Sequence, residues 1–203
     1  VTRIIAGAAR GRRLVVPATG TRPTADRVRE ALFSSLNAVM DLSGVRVLDL
    51  FAGSGALGFE ALSRGAHVVT LVDSSPAAVQ VMRRNVATVG LPGVHVVKST
   101  ATGHLRGQPQ PVDLVLLDPP YDLAADQIEE ILTQLCTGWL VQGAVVVVER
   151  GARDEPPRWP AGFGTAWNRR FGDTELHRAV WYGHGDTLDD LHDSPEPQGA
   201  DGA

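Results

Sequence analysis

The chain has 203 residues, 43% hydrophobic and 21% charged, and its single cysteine excludes both an intramolecular disulfide framework and a Cys-rich zinc site. No apolar run approaches the ~20 residues of a membrane span, and no charged-then-apolar start precedes the first arginines, which predicts a soluble, cytoplasmic globular protein. The net charge of −4 hides an asymmetry: residues 1–29 carry seven arginines against Asp26 alone, a net +6, whereas residues 186–203 carry six carboxylates and no Lys or Arg.

At the head, residues 2–5 and 12–17 are predicted to pair as a hairpin across the Gly7 to Gly11 stretch. Val28, Ala31, Leu32, Leu36 and Val39 then form one helical stripe, with Thr24 placed as its N-cap. From residue 45 the pattern alternates. Strand-like apolar runs at 45–50, 67–72, 94–97, 112–117 and 144–149 are separated by helical segments at 57–64, from Pro76 through Val86, and from Ile128 to Leu135. Near-continuous apolar strands between helices predict a doubly wound α/β domain with a mainly parallel sheet covered on both faces. Residues 163–171 and 174–182 read as a second hairpin, turned at Gly172-Asp173, that finishes the sheet antiparallel. The expected plan is a basic extension at 1–40, a catalytic domain at 41–184 and an acidic, disordered tail at 185–203.

Gly53-Ser54-Gly55-Ala56-Leu57-Gly58 matches G-x-G-x-x-G between a strand and a helix, with Asp73 twenty positions after Gly53. Two ligands compete for that pattern. A dinucleotide would set its pyrophosphate on the glycine turn and its ribose on Asp73. S-adenosylmethionine also offers ribose hydroxyls but has no pyrophosphate. Asp49 separates the two, because in Asp49-Leu50-Phe51-Ala52-Gly53-Ser54-Gly55 it puts a carboxylate just ahead of the glycines. It would repel a pyrophosphate, whereas an α-ammonium and a sulfonium would welcome it. A bland role as a helix-capping carboxylate also fits Asp49 alone.

Asp118-Pro119-Pro120-Tyr121 closes the fourth strand at the edge where open α/β sheets hold their ligands. The two prolines remove backbone donors and stiffen the turn. The Asp118 carboxylate and the Pro119 carbonyl can each accept one N–H of an exocyclic amine, aligning its lone pair for methyl transfer. Tyr121 is placed to stack on an unstacked base. The ordinary alternative is a Pro-Pro turn beside a core tyrosine. The six histidines are dispersed without metal-ligand spacing, and no metal is expected.

With these residues in hand, the chain resembles the RsmD-type 16S ribosomal RNA (guanine-966-N2) methyltransferases. The resemblance is carried by Arg3-Ile4-Ile5-Ala6-Gly7, by Arg22-Pro23-Thr24-Ala25-Asp26-Arg27-Val28-Arg29-Glu30-Ala31-Leu32-Phe33, by residues 47–65 and by residues 116–121. It implies S-adenosylmethionine held by Asp49, Phe51, Ala52, Gly53, Gly55, Asp73, Thr100, Ala101 and Asp118. It implies chemistry at Asp118, Pro119 and Tyr121, and RNA docking by Arg10, Arg12, Arg13, Arg22, Thr24, Arg27 and Arg29. The implied substrate is 16S rRNA in an assembled or assembling 30S particle. Ser99-Thr100-Ala101 stands where many relatives place Asp or Asn against the adenine. A DNA adenine-N6 methyltransferase, an NAD-linked oxidoreductase and a non-catalytic RNA-binding module are the competing readings, the first because Asp-Pro-Pro-Tyr serves it equally.

Overall fold

Five parallel strands and a terminal antiparallel hairpin form one sheet, seen in the computed structural model, which describes residues 2–16 and 26–183. In chain order the elements are β1 (Thr2–Arg3), β2 (Arg13–Leu14), α1 (Asp26–Asn37), β3 (Arg46–Leu50), α2 (Ala56–Ser63), β4 (Val68–Asp73) and α3 (Pro76–Val89). They continue with β5 (Val94–Lys98), α4 (Ala101–Leu105), β6 (Val112–Leu117), α5 (Ala125–Leu135), β7 (Leu140–Gly151), β8 (Trp167–Phe171) and β9 (Thr174–Val180). The seven-stranded order is β5-β4-β3-β6-β7-β9-β8, parallel through β7 and antiparallel beyond it. Among the described residues no helix is long and apolar enough to cross a membrane.

The period-2 geometry of the strands divides the interior into two layers. Val47, Val69, Leu71, Leu114, Leu116, Val145 and Val147 face the layer holding α1, α2 and α3. Their neighbours Leu48, Leu50, Val72, Val115, Leu117, Val146 and Val148 face the layer holding α4 and α5. Both faces are buried, which is why these strands read as continuous apolar runs. Cys136 lies in the second layer, its Sγ–H directed at the Leu132 carbonyl.

The elements match the predicted ones closely, but β8 begins at Trp167 rather than at residue 163, with Phe163 left in an isolated bridge to Trp181. β7 extends past both ends of the expected 144–149 strand. The five-residue α4 was not foreseen, being too short to show a helical period. Val39 falls beyond the end of α1 and is 45% exposed, so the buried stripe ends at Leu36. The expected head hairpin forms, Thr2 against Leu14 and Arg3 against Arg13, but is only two residues deep. Arg22, Thr24 and the 185–203 tail lie outside the described residues.

The described part of the head is built into the main core rather than set apart from it. Ile4, Ala9 and Leu14 share a layer with α1 and the sheet. Glu60 on α2, fully buried, accepts the Ile5 and Ala6 N–H groups at 2.7 and 3.1 Å and the Arg64 Nε–H at 2.7 Å. Ser63 continues the clasp: its carbonyl accepts from Ala8 N–H and its Oγ from Ala9 N–H. Gly7 has to be glycine here, since it sits at φ +80° and a Cβ would meet the Ser63 carbonyl oxygen at 1.7 Å.

Candidate active site

Strand order reverses between β3 and β6. From β3 the chain winds out through β4 and β5, then returns to lay β6 and β7 on the other side. The carboxyl ends of β3 and β6 are in register there, Leu50 beside Leu117, so the segments that follow border one crevice.

On the β3 side the backbone is bent sharply. Phe51 has φ +83°, the one non-glycine positive φ among the described residues, and such a conformation costs of order 1–3 kcal/mol. It is held because the Phe51 and Ala52 N–H groups both donate to the Val72 carbonyl, at 3.0 and 2.9 Å. Gly55 follows at φ +79° as the N-cap of α2. Gly58 serves packing, because a Cβ there would lie 2.3 Å from Leu71 and 2.8 Å from Val69. The glycine turn thus lets α2 lie directly on β4.

Three carboxylates converge on this turn. Asp49 is 1% exposed; its Oδ2 accepts the Gly58 N–H at 3.0 Å, while its Oδ1 is buried with no partner. Burial pushes the Asp49 carboxyl up to about 8, the charges of Asp118 and Asp73 push the same way, and the Gly58 bond opposes them. Asp73, at the end of β4, accepts the Gly53 N–H on Oδ2 at 2.8 Å and the Ser75 N–H on Oδ1 at 2.8 Å. Asp118 follows β6, with Pro119 buried behind it and Tyr121 53% exposed. Exposure of this ring rules out the core-tyrosine alternative.

Thr100 and Ala101 stand at the end of β5 on the same sheet edge. The Thr100 Oγ accepts the Gly103 N–H at 3.0 Å as the N-cap of α4, and Ala101 is buried as the first residue of that helix. Among the described residues no cluster of His, Cys, Asp and Glu is arranged to hold a metal.

The arginines divide. Arg10, Arg13 and Arg27 are exposed. Arg12 is also exposed but spends its Nη1 on the Thr88 carbonyl at 2.6 Å, tying the head to the end of α3. Arg29 is a correction to the RNA-docking set. It is 1% exposed, with Nη2 donating to the Arg3 carbonyl at 2.5 Å and to Asp26 at 3.0 Å, and Nε lying 3.9 Å from Glu60. It is a structural cation that no phosphate reaches.

One residue of the site region escaped the sequence reading. Asn85, fully buried on α3, donates to the Val15 and Ser54 carbonyls and accepts the Val15 N–H, each at 2.9 Å. A single amide therefore joins the head to the glycine turn. The signal was present in the sequence, since Asn85 is a polar residue on the buried face shared by Ala78, Met82 and Val89.

Comparison with known proteins places this geometry. The family model described as "Conserved hypothetical protein 95" matches residues 2–180. The chain is 42% identical over 163 residues to ribosomal RNA small subunit methyltransferase D of Escherichia coli, covering 79% of this chain and 80% of that protein. It is 39% identical to the Haemophilus influenzae protein of the same name, covering 76% and 80%. The chain belongs to the RsmD family. A solved structure of a putative methyltransferase from Escherichia coli superposes with a TM-score of 0.79 at 37% identity, covering 90% of this chain and 99% of that one.

S-adenosylmethionine is the cofactor of this RsmD-family fold, and the residues suit it. Asp49 has a buried oxygen without a partner, and Asp73 and Asp118 add negative charge beside it. A ligand carrying a sulfonium and an α-ammonium relieves that repulsion, whereas a pyrophosphate would aggravate it. The dinucleotide reading fails on this point.

Two outcomes follow for binding. Asp73→Ala removes an acceptor for ribose hydroxyls and the bond that fixes the Gly53 N–H, so calorimetry should show cofactor affinity falling roughly 10-fold or more. Wild-type affinity in that variant would contradict the assignment. Binding should also be linked to protons. Below about pH 8 the Asp49 carboxyl is largely neutral, and a cationic ligand favours its ionised form. Calorimetry at pH 7 in buffers of different ionisation enthalpy should detect proton release on binding in the wild type and less in Asp49→Asn. Equal release in both would show that Asp49 does not titrate with the ligand.

Proposed function

We propose that this RsmD-family chain methylates the exocyclic N2 amino group of a guanine in 16S rRNA, the 966 position of the family's target, within an assembled or assembling 30S subunit. The observation that carries the reading is the stiff Asp118-Pro119-Pro120-Tyr121 turn beside the carboxylate-lined crevice, with its aromatic ring open to solvent. When bound, S-adenosylmethionine supplies a methyl on a cationic sulfur, a group that needs no strong base to be transferred.

The chain's own residues then have to align the acceptor. The guanine amine is conjugated with its ring, which withholds its lone pair. The Asp118 carboxylate accepts one N–H and the Pro119 carbonyl the other, drawing the nitrogen towards tetrahedral geometry. So aligned, the lone pair would face the methyl that S-adenosylmethionine supplies, and the surplus proton would leave the nitrogen after the transfer. Tyr121 stacks on the flipped base and replaces the neighbours it has left. The contribution is positioning and electrostatics rather than covalent catalysis. Arg10, Arg13 and Arg27, exposed on the described head and α1, are proposed to meet RNA phosphates; Arg22 and Thr24, which lie outside the described residues, are proposed to contact RNA as well.

Incubation with labelled cofactor tests this directly. Unmethylated 30S particles should take up label and duplex DNA should not. Label in DNA alone would establish the adenine-N6 alternative, and no turnover on any nucleic acid would leave a binding protein that keeps the fold.

A further inference from the structure

The arginines of the carboxy-terminal hairpin bear on the same substrate. β8 is the last strand of the sheet order, and among the described residues no further strand pairs with its outer edge. Asn168, Arg169 and Arg170 on it are exposed. Arg169 lies over the Phe171 ring at 5.2 Å, and Arg170 anchors its Nε–H on the Gly172 carbonyl at 2.9 Å. Each guanidinium is thus braced at one side.

Neither has a carboxylate within salt-bridge distance among the described residues, and Arg153 in the preceding loop is in the same position. Elsewhere Arg46 pairs with Asp113, Arg106 with Glu130, and Arg158 with Glu129 and Glu155, whereas Arg10, Arg13 and Arg27 of the head and α1, and Arg83 and Arg84 of α3, are exposed with no such pair among the described residues. Of the nearby acids, Asp173 in the turn is exposed and forms no ion pair with them among the described residues, and two others are engaged elsewhere. Glu175, directly opposite Arg170, accepts from Asn168, and Asp154 holds Gly151 N–H and Arg150.

The register fixes where these cations stand relative to the chemistry. Leu117 pairs with Val148, Val148 with His177 and His177 with Asn168, so one row crosses the sheet from the residue before Asp118 to the residue before Arg169. Two antiparallel turns return β8 to the direction of the parallel strands. Arg169 and Arg170 therefore step from that row towards the carboxyl edge that carries Asp118. Three strand spacings separate them, or ~14 Å. The head lies towards the opposite end of the order, where Arg12 is tied to α3 over β4 and β5.

We propose that the β8 edge, through Arg169 and Arg170 with Arg153 beside them, binds the phosphate backbone of the RNA on the flank of the site opposite the head. The RNA then lies across the carboxyl edge of the sheet, gripped on both sides of the flipped base. This rests on the reading that the substrate is ribosomal RNA. Braced guanidiniums without acidic partners suit phosphate oxygens, which they bind in bidentate fashion.

The test is steady-state methylation of 30S particles by the full chain across a salt series, comparing wild type with Arg169→Gln/Arg170→Gln. The double variant should raise KM for the particle several-fold and flatten the salt dependence of kcat/KM, by a slope of roughly 0.7–0.9 for each phosphate no longer neutralised. Both kcat at saturating particle and cofactor affinity should stay at wild-type values. Arg169→Lys/Arg170→Lys keeps the charges and should recover most of the salt slope. Unchanged KM and slope in the Gln variant would overturn the proposal and leave the two arginines as charges that merely keep an open strand edge from self-pairing. If the wild type itself fails to methylate 30S particles, the functional reading falls first, and the two failures are distinguishable.

Discussion

Asp118→Ala is expected to lower kcat on 30S particles by two to three orders of magnitude while cofactor affinity stays within a few-fold. The proposed partner of this carboxylate is the substrate amine, and removing one preorganised acceptor or donor at a reacting centre has an effect of ~10²–10³. Asp118→Asn separates charge from geometry, because its amide oxygen still accepts an N–H; it should retain partial activity. Asp118 also adds to the negative field on Asp49, so its removal should move the Asp49 carboxyl back towards the ordinary range. Near-normal turnover in Asp118→Ala would contradict the alignment mechanism.

The second large effect is on stability. Glu60→Ala is expected to destabilise the fold by about 3–5 kcal/mol, the usual consequence of breaking a buried, hydrogen-bonded charge pair from one side. Glu60 accepts from Ile5, Ala6 and Arg64, and its loss leaves the buried Arg29 with only Asp26 as a carboxylate partner. Burial already lowers the Arg29 pKa, with Asp26 and Glu60 opposing that shift. Denaturant titration of Glu60→Ala and of Glu60→Ala/Arg29→Met checks this. The double variant should regain part of the loss, because it also removes the stranded cation. A single-variant loss below about 1 kcal/mol would show that the head is held mainly by apolar packing of Ile4, Ala9 and Leu14.

The strands and the site motifs were legible for a common reason: each is a short, local pattern. β3, β4, β6 and β7 are buried on both faces and read as apolar runs, and Phe51 to Gly58 and Asp118 to Tyr121 sit where those runs end. Residues whose roles depend on direction or on distant pairing were harder to read. Arg29 entered the sequence reading as one of seven head cations, yet it lies three and four residues before Leu32 and Phe33, on the buried stripe of α1. Counting charge ignores which way a helix points it. The hairpin carrying Arg169 and Arg170 is readable in the sequence, but only its register against β7 sets these two on the carboxyl edge. Asp49 lies between these cases: its position before the glycines was readable, but its bond to Gly58 and its unpartnered oxygen required the fold.

Everything proposed for the Asp118 turn depends on which atom receives the methyl group. Incubating the chain and S-adenosylmethionine with 30S particles lacking the modification, then digesting the 16S rRNA and analysing its nucleosides by mass spectrometry, identifies that atom. One new product, N2-methylguanosine, is expected from a single site in wild-type reactions and none with Asp118→Ala. A methyl on adenine, on cytosine or on a guanine ring nitrogen would contradict the proposed function.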